Sequence, residues 1–353
     1  MDGVQLWLVV AGIAAVATAG SAQGESPFVR AGIDSDRPVW GLRSGIRFAI
    51  WPGEVGGFPG DGGPRGLIRV GYPVLPGGAY SLVNFIAVEP IIDSRYRMFS
   101  ELEPSATDGR PGKVIAAGSP PESAEGEWDS TKPYPGRIDE PEAGVQRLTV
   151  CLRVEAFECG AKVYILASVR TDRPDELMLA LHPEADSIPM SSCVLTATMG
   201  NFERLREVRL RDRVARAADL YGDYTGDGFA TPTLFPHAEL PRADDGSLIV
   251  AATTDEEAPA EIHPDPDRSF FWWYAGKRVT QYWRKYPGAF SEATSAQVNA
   301  RYVYWASTRP IPHGVAFENF ELVEPFEPGQ TSVFGITEKS PQELLGSKEA
   351  SIE

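Results

Sequence analysis

Two segments with strand-like patterning carry carboxylates where apolar side chains belong. In SLVNFIAVEP, residues 81–90, Asn84 shares a face with Leu82, Ile86 and Val88, while Glu89 shares the other with Val83, Phe85 and Ala87. In GVAFENFELVEPF, residues 314–326, Glu318 falls in register with Ala316, Phe320 and Leu322, and Asn319 and Glu321 fall with Val315, Phe317 and Val323. A strand apolar on both faces belongs to a sheet covered on both sides. A carboxylate there is costly unless it is paired, or its pKa rises until it is a usable acid or base. The plainer alternative is a strand end, where Glu89 before Pro90 and Glu324 before Pro325 reach water.

The densest chemistry lies at residues 268–290, RSFFWWYAGKRVTQYWRKYPGAF. Its consecutive aromatics at 270–274 put rings on both faces of any strand they form, as a strand packed on both sides would need. Past the turn at Gly276, Tyr282, Trp283 and Tyr286 interleave with Gln281, Arg284 and Lys285. Flat rings beside multidentate donors suit a sugar, whose C–H face stacks on the ring while hydroxyls or a carboxylate meet the guanidinium. Trp272, Trp273 and Trp283 would form the platform, and Arg278, Gln281, Arg284, Asn84 and Glu89 the polar contacts. Residues 281–285 are expected to face solvent, with Trp283 and Arg284 joining Glu318 in one site. The local cations favour an acidic or sulfated glycan, although pairing with an acidic loop accounts for them equally well.

Proton transfer falls to His237, Tyr274 or Glu318. His237, in TLFPHAELPRADDG, is the histidine best placed to act as a general base, since loops between sandwich strands put side chains at cleft rims. None of the four histidines has metal-ligand spacing, and no cysteine sits near one, which argues against zinc. DYTGDGF, residues 223–229, begins like a calcium loop with Asp223, Thr225, Asp227 and Gly228. Its twelfth position holds Leu234 where a bidentate Glu belongs, so an Asp- and Gly-rich hairpin turn competes with a weak calcium site at Asp223 and Asp227. No other cofactor is expected: the chain has no G-x-S-x-G elbow and no nucleotide fingerprint.

The elements that must position these residues are strands. Frequent glycine and proline (35 and 30 residues) cut the chain into short β-branched and aromatic runs, with helical periodicity around 214–220 and 341–345. Many strands without βαβ alternation predict an all-β fold, a large antiparallel sandwich with few short helices. Residues 27–336 are expected to form one domain, 104–146 a long surface loop able to cover a cleft, and 337–353 a flexible tail.

A formal net charge of −16 argues against nucleic acid as a partner. The apolar run at 4–19, followed by small residues, reads as a secretory leader cut near Ala19 or Ala22, so 1–22 is taken as a signal peptide of a secreted or periplasmic protein. An N-terminal anchor is the alternative, because no Lys or Arg precedes the run. No later segment is apolar for long enough to span a bilayer. Cys193 is free to pair with Cys151 or Cys159, or all three are thiols.

The series GPRGLIRVGYP, LVNFIAVEPI, VLTATMGNFERLREVRL, LFPHAELP, FFWWYAGKRVTQYW and GVAFENFELVEPF resembles a set of exported bacterial proteins with no assigned activity. At fold level the chain resembles the galactose-mutarotase-like supersandwich, which also serves polysaccharide lyases and some glycosidases. That resemblance implies carbohydrate as the partner and a site on a concave sheet; it transfers no catalytic residue. The expected function is a polysaccharide lyase or glycoside hydrolase acting on an acidic glycan. A non-catalytic glycan-binding protein or a sugar epimerase is the alternative.

Overall fold

The computed structural model describes residues 25–50, 65–120, 133–259, 261–264, 271–274, 276–305 and 307–346, with the backbone alone at 261–264 and 271–273. The leader expected at 1–22 lies outside these residues. The chain opens with β1 (Phe28–Val29), β2 (Val39–Leu42), β3 (Arg47–Ile50), β4 (Leu67–Tyr72), β5 (Ser81–Ile92) and β6 (Tyr96–Arg97). It continues with β7 (Ile115–Gly118), β8 (Arg137–Glu142), β9 (Val145–Val154), β10 (Val163–Arg170), β11 (Arg173–Pro183) and β12 (Ser192–Thr198). The helical turn α1 (Gly200–Glu203) precedes β13 (Leu205–Arg209), β14 (Val214–Arg216), α2 (Ala217–Tyr221), β15 (Thr233–Phe235) and β16 (Leu248–Thr254). Last come β17 (Glu261–Pro264), β18 (Phe271–Tyr274), β19 (Thr280–Lys285), β20 (Ser295–Arg301), β21 (Ala316–Val323), β22 (Gln330–Thr337) and α3 (Pro341–Leu345).

These strands build two ten-stranded sheets. The first runs β1-β2-β3-β4-β5-β12-β21-β20-β15, with β6 beside β5; the second runs β14-β13-β16-β19-β22-β11-β10-β9-β7, with β8 beside β9. β17 and β18 form a separate hairpin. Every pairing between these strands is antiparallel. The fold is an all-β sandwich with three short helices among the described residues.

The alternation read from the sequence decides which face meets which. Leu82, Ile86 and Val88 of β5 pack with Val250 and Ala252 of β16, Trp283 of β19, and Phe334 and Ile336 of β22 in one apolar cluster between the sheets. Trp283 and Phe334 approach to 5.0 Å between ring centroids, and the Trp283 indole N–H donates to the Phe320 carbonyl at 2.8 Å. A buried indole needs such a partner, and here the bond ties the second sheet to the first. Inside this apolar layer runs a polar chain. The Asn84 amide donates to Gln281 (2.6 Å), the Gln281 amide donates to Glu203 of α1 (2.6 Å), and the Val279 N–H donates to the same carboxylate (3.1 Å).

Three expectations are corrected. The stretch 104–146 is not a structureless loop, because it carries β7 and β8, both hydrogen-bonded to β9. β8 is largely exposed and pairs through backbone bonds and the Arg147–Asp139 ion pair, so no apolar run announces it. The segment around 214–220 divides into β14 and α2. The tail is held as far as Leu345: Ser340 and Glu343 form a capping box on α3, and buried Leu345 packs on Ile249, Ala251 and Tyr282. All three cysteines are free, Cys151 and Cys193 being buried in opposite sheets. No helix among the described residues is long and apolar enough to cross a membrane.

Candidate proton-transfer site

Since Asn84 points between the sheets, Glu89, five residues on in the same strand, points out of the sandwich. Cross-strand registers place Thr196 of β12, Glu321 of β21 and Gln297 of β20 in a row on that outer face. Arg97, carried back over β5 by the β6 hairpin, reaches along the row. Its guanidinium donates to Glu89 in a short contact, to Glu321 at 2.7 Å and to Thr196 at 3.2 Å. Glu321 also accepts from Thr196 (2.5 Å) and Gln297 (2.7 Å). Burial pushes the Glu89 carboxyl well above the usual range. Arg97 opposes the shift, while Glu101 and Glu321 add to it.

Glu318 lies on β21 where the β20 pairing slips. Val298 pairs with Phe320 but Ala300 pairs with Phe317, so β21 carries one extra residue at 318–319. A bulge of this kind re-aims a side chain, and bulges gather beside active sites. Glu318 is 1 % exposed, and burial pushes its carboxyl up to about 7, against the positive charge of Arg301 and with the negative charge of Glu101. Glu101 is itself pushed up to about 7, chiefly by burial, with its own backbone N–H and Arg97 lowering it and Glu321 raising it. Glu318 Oε2, Glu101 Oε2 and Glu89 Oε1 are buried without a hydrogen-bond partner among the described residues.

Arg301 connects this group to the surface. Its guanidinium donates to the Val303 carbonyl at 3.1 Å and to the Asp227 carbonyl at 2.8 Å, and lies 4.9 Å from the centroid of Phe229. Phe229 is 46 % exposed. A carboxyl that is half ionised near neutral pH, a fixed cation and an open aromatic face thus occupy one region. Such a set can exchange a proton with a substrate, neutralise an anion and stack on a ring.

Of the residues singled out from the sequence, Glu89 and Glu318 share this face. Asn84 and Gln281 meet each other instead, fully buried between the sheets. Trp283 does not face solvent: it is 1 % exposed in the core, because β19 is a central strand of its sheet. Lys285 is buried and ion-paired with Glu324. Arg284 points to the outer face of the second sheet and pairs with Glu176 at 2.6 Å, so Trp283, Arg284 and Glu318 do not form one site. Arg278 lines a separate cleft on that same outer face. Tyr274 is buried, donates to the Lys277 carbonyl (2.6 Å), and is pushed far above the usual phenol range by burial and then by Glu203. His237 sits beyond β15 at the sheet edge, with Nε2 2.9 Å from Arg242 and its ring 6.0 Å from Phe290. The side chains of Trp272 and Trp273 lie outside the described residues; their backbone pairs with β17. Asp223 and Asp227 are exposed, and no group of three or more potential metal ligands occurs among the described residues.

Sequence reasoning missed Glu101, Arg97, Arg301 and Phe229. Only Phe229, an aromatic inside the turn-rich DYTGDGF stretch, gave a local signal; the others depend on contacts between distant segments.

Comparison with known proteins adds little. No family model matches the chain and no curated protein is similar to it, so neither supports the resemblance to an exported family. Among solved structures, the chain is similar to the galactosidase domain of the alpha-galactosidase–sucrose kinase AgaSK, with a TM-score of 0.34 and 10 % identity over 88 % of this chain. The chain spans 41 % of that structure's length, and likeness at this level assigns no activity.

Proposed function

We propose that the protein is a glycan-cleaving enzyme, a lyase or hydrolase, working on the outer face of the first sheet. Glu318 transfers the proton, Arg301 holds or neutralises an anionic group, and Phe229 stacks on a sugar ring. The observation that carries this reading is Glu318 itself: a buried carboxyl poised at about 7 with one oxygen unpartnered, near a guanidinium that lies against an exposed ring. Export, expected from the apolar run at 4–19, belongs to the same reading, and N-terminal sequencing of the secreted protein tests it.

A panel of neutral, uronate-containing and sulfated glycans, read for both binding and product, is the test. Glu318→Gln is nearly isosteric and abolishes turnover while preserving binding; Phe229→Ala weakens glycan binding by about 1–3 kcal/mol, as loss of a hot-spot aromatic does. The pH–rate profile has a limb near 7, rising if Glu318 accepts the proton and falling if it donates. Full turnover by Glu318→Gln on every cleaved glycan removes this assignment. Binding without product across the panel leaves a non-catalytic lectin role.

A further inference from the structure

On the opposite side of the molecule, the outer face of the second sheet holds a cleft of about 410 Å³. Arg209 of β13, Thr253 of β16 and Thr280 of β19 line it, together with Arg278 and the 338–343 segment that leads into α3. Val208 and Ala252 pack in the core, so their neighbours Arg209 and Thr253 must face outward. Arg209 is 6 % exposed, and its Nε is buried without a hydrogen-bond partner among the described residues. Arg278 donates to the Thr253 hydroxyl at 3.3 Å.

The cleft holds more positive charge than its free carboxylates balance. Glu207 pairs with Arg216 at 3.2 Å and Glu338 with Lys277 at 2.7 Å, while Glu343, bonded to neutral Ser340, keeps its charge near Lys339. Arg209 and Arg278 form no ion pair among the described residues, and the charge of Lys339 acts on the Glu343 carboxylate. In a chain with a formal net charge of −16, a cavity lined by two guanidiniums without an ion pair is a local inversion of sign. A buried guanidinium with an unfilled donor is costly in the absence of an acceptor, and carboxylates and sulfates are the acceptors that match its planar fork. The volume lies within the range of small-molecule sites.

We infer that this cleft is a second ligand site, binding an oxyanion carried on a sugar-sized molecule such as a hexuronate or a sulfated hexose. It uses none of the residues proposed for proton transfer and stands or falls independently of them. Calorimetric titration of the full chain with D-glucuronate, D-glucose and inorganic sulfate tests it. Glucuronate is expected to bind more tightly than either control, with affinity falling as salt rises. Arg278→Ala and Arg209→Met each weaken glucuronate binding at least tenfold. Arg278 is exposed, so its variant stays informative even if the buried Arg209→Met fails to fold. Glucose binding as tightly as glucuronate overturns the oxyanion assignment, and sulfate binding as tightly overturns the sugar-sized ligand. Absence of glucuronate binding, or wild-type affinity in a folded Arg278→Ala variant, overturns the site.

Discussion

Glu203 and Glu318 are both carboxyls raised by burial, to about 8 and about 7, yet their surroundings separate their roles. Both Glu203 oxygens are occupied, one by the Val279 N–H and the other by the Gln281 amide, whereas Glu318 Oε2 has no partner among the described residues. The first is a structural group; the second keeps an oxygen free for the proposed proton transfer. For Glu203, burial outweighs the stabilising bonds from Gln281 and Val279 and the charges of Arg278 and Arg204. The sign of its effect on stability follows. An unfolded Glu titrates near 4.3, so between there and about 8 the folded protein holds a proton that the unfolded chain has lost. Its contribution is complete below that window and falls by up to about 1.4 kcal/mol per pH unit as pH rises through it. Glu203→Gln mimics the protonated form, so its melting temperature should decline less than wild type between pH 5 and 8. Parallel declines in the two proteins would show that Glu203 stays ionised in the fold.

At the scale of an element, β19 shows what patterning conveys and what it hides. TQYWRK is not among the runs that read as strands, although it alternates, with Gln281 and Trp283 on one face and Tyr282 and Arg284 on the other. Which face was wet was not legible either. Polar residues beside Trp283 suggested solvent, but each has a partner far along the chain: Gln281 bonds Asn84 across 197 residues and Glu203 across 78, and Lys285 pairs with Glu324. Long-range satisfaction of buried polar groups leaves no local mark, and the same limit hid Arg97 and Arg301. Trp283→Ala should therefore act on stability, costing about 3–5 kcal/mol in denaturant unfolding, as large-to-small changes in a close-packed core do. A loss below about 1 kcal/mol would contradict its burial. Tyr282, on the outer face, lies across Gly335, where any Cβ would stand 1.9 Å from the ring; β22 has glycine there because the ring needs the space.

At the scale of the whole molecule, the all-β sandwich was readable because glycine, proline and two-residue alternation act locally, while strand order and the role of the tail were not. α3 closes the outer face of the second sheet over Ile249, Ala251 and Tyr282, and the residues leading into it line the oxyanion cleft. A chain ending at residue 339 should unfold at lower denaturant and lose glucuronate binding; retention of both would make the tail dispensable. The hydrogen-bonded line from Asn84 through Gln281 to Glu203 has a consequence for how the two sheets find each other. Apolar faces slide past one another with little preference for position, and a one-residue shift of β5 would turn Asn84 outward and bring Phe85 in. Every such misfit strands at least one of these groups in hydrocarbon, at about 1–3 kcal/mol apiece. The line therefore proofreads assembly: only one mutual alignment of the sheets completes it, and sandwiches closed in any other register are left to reopen.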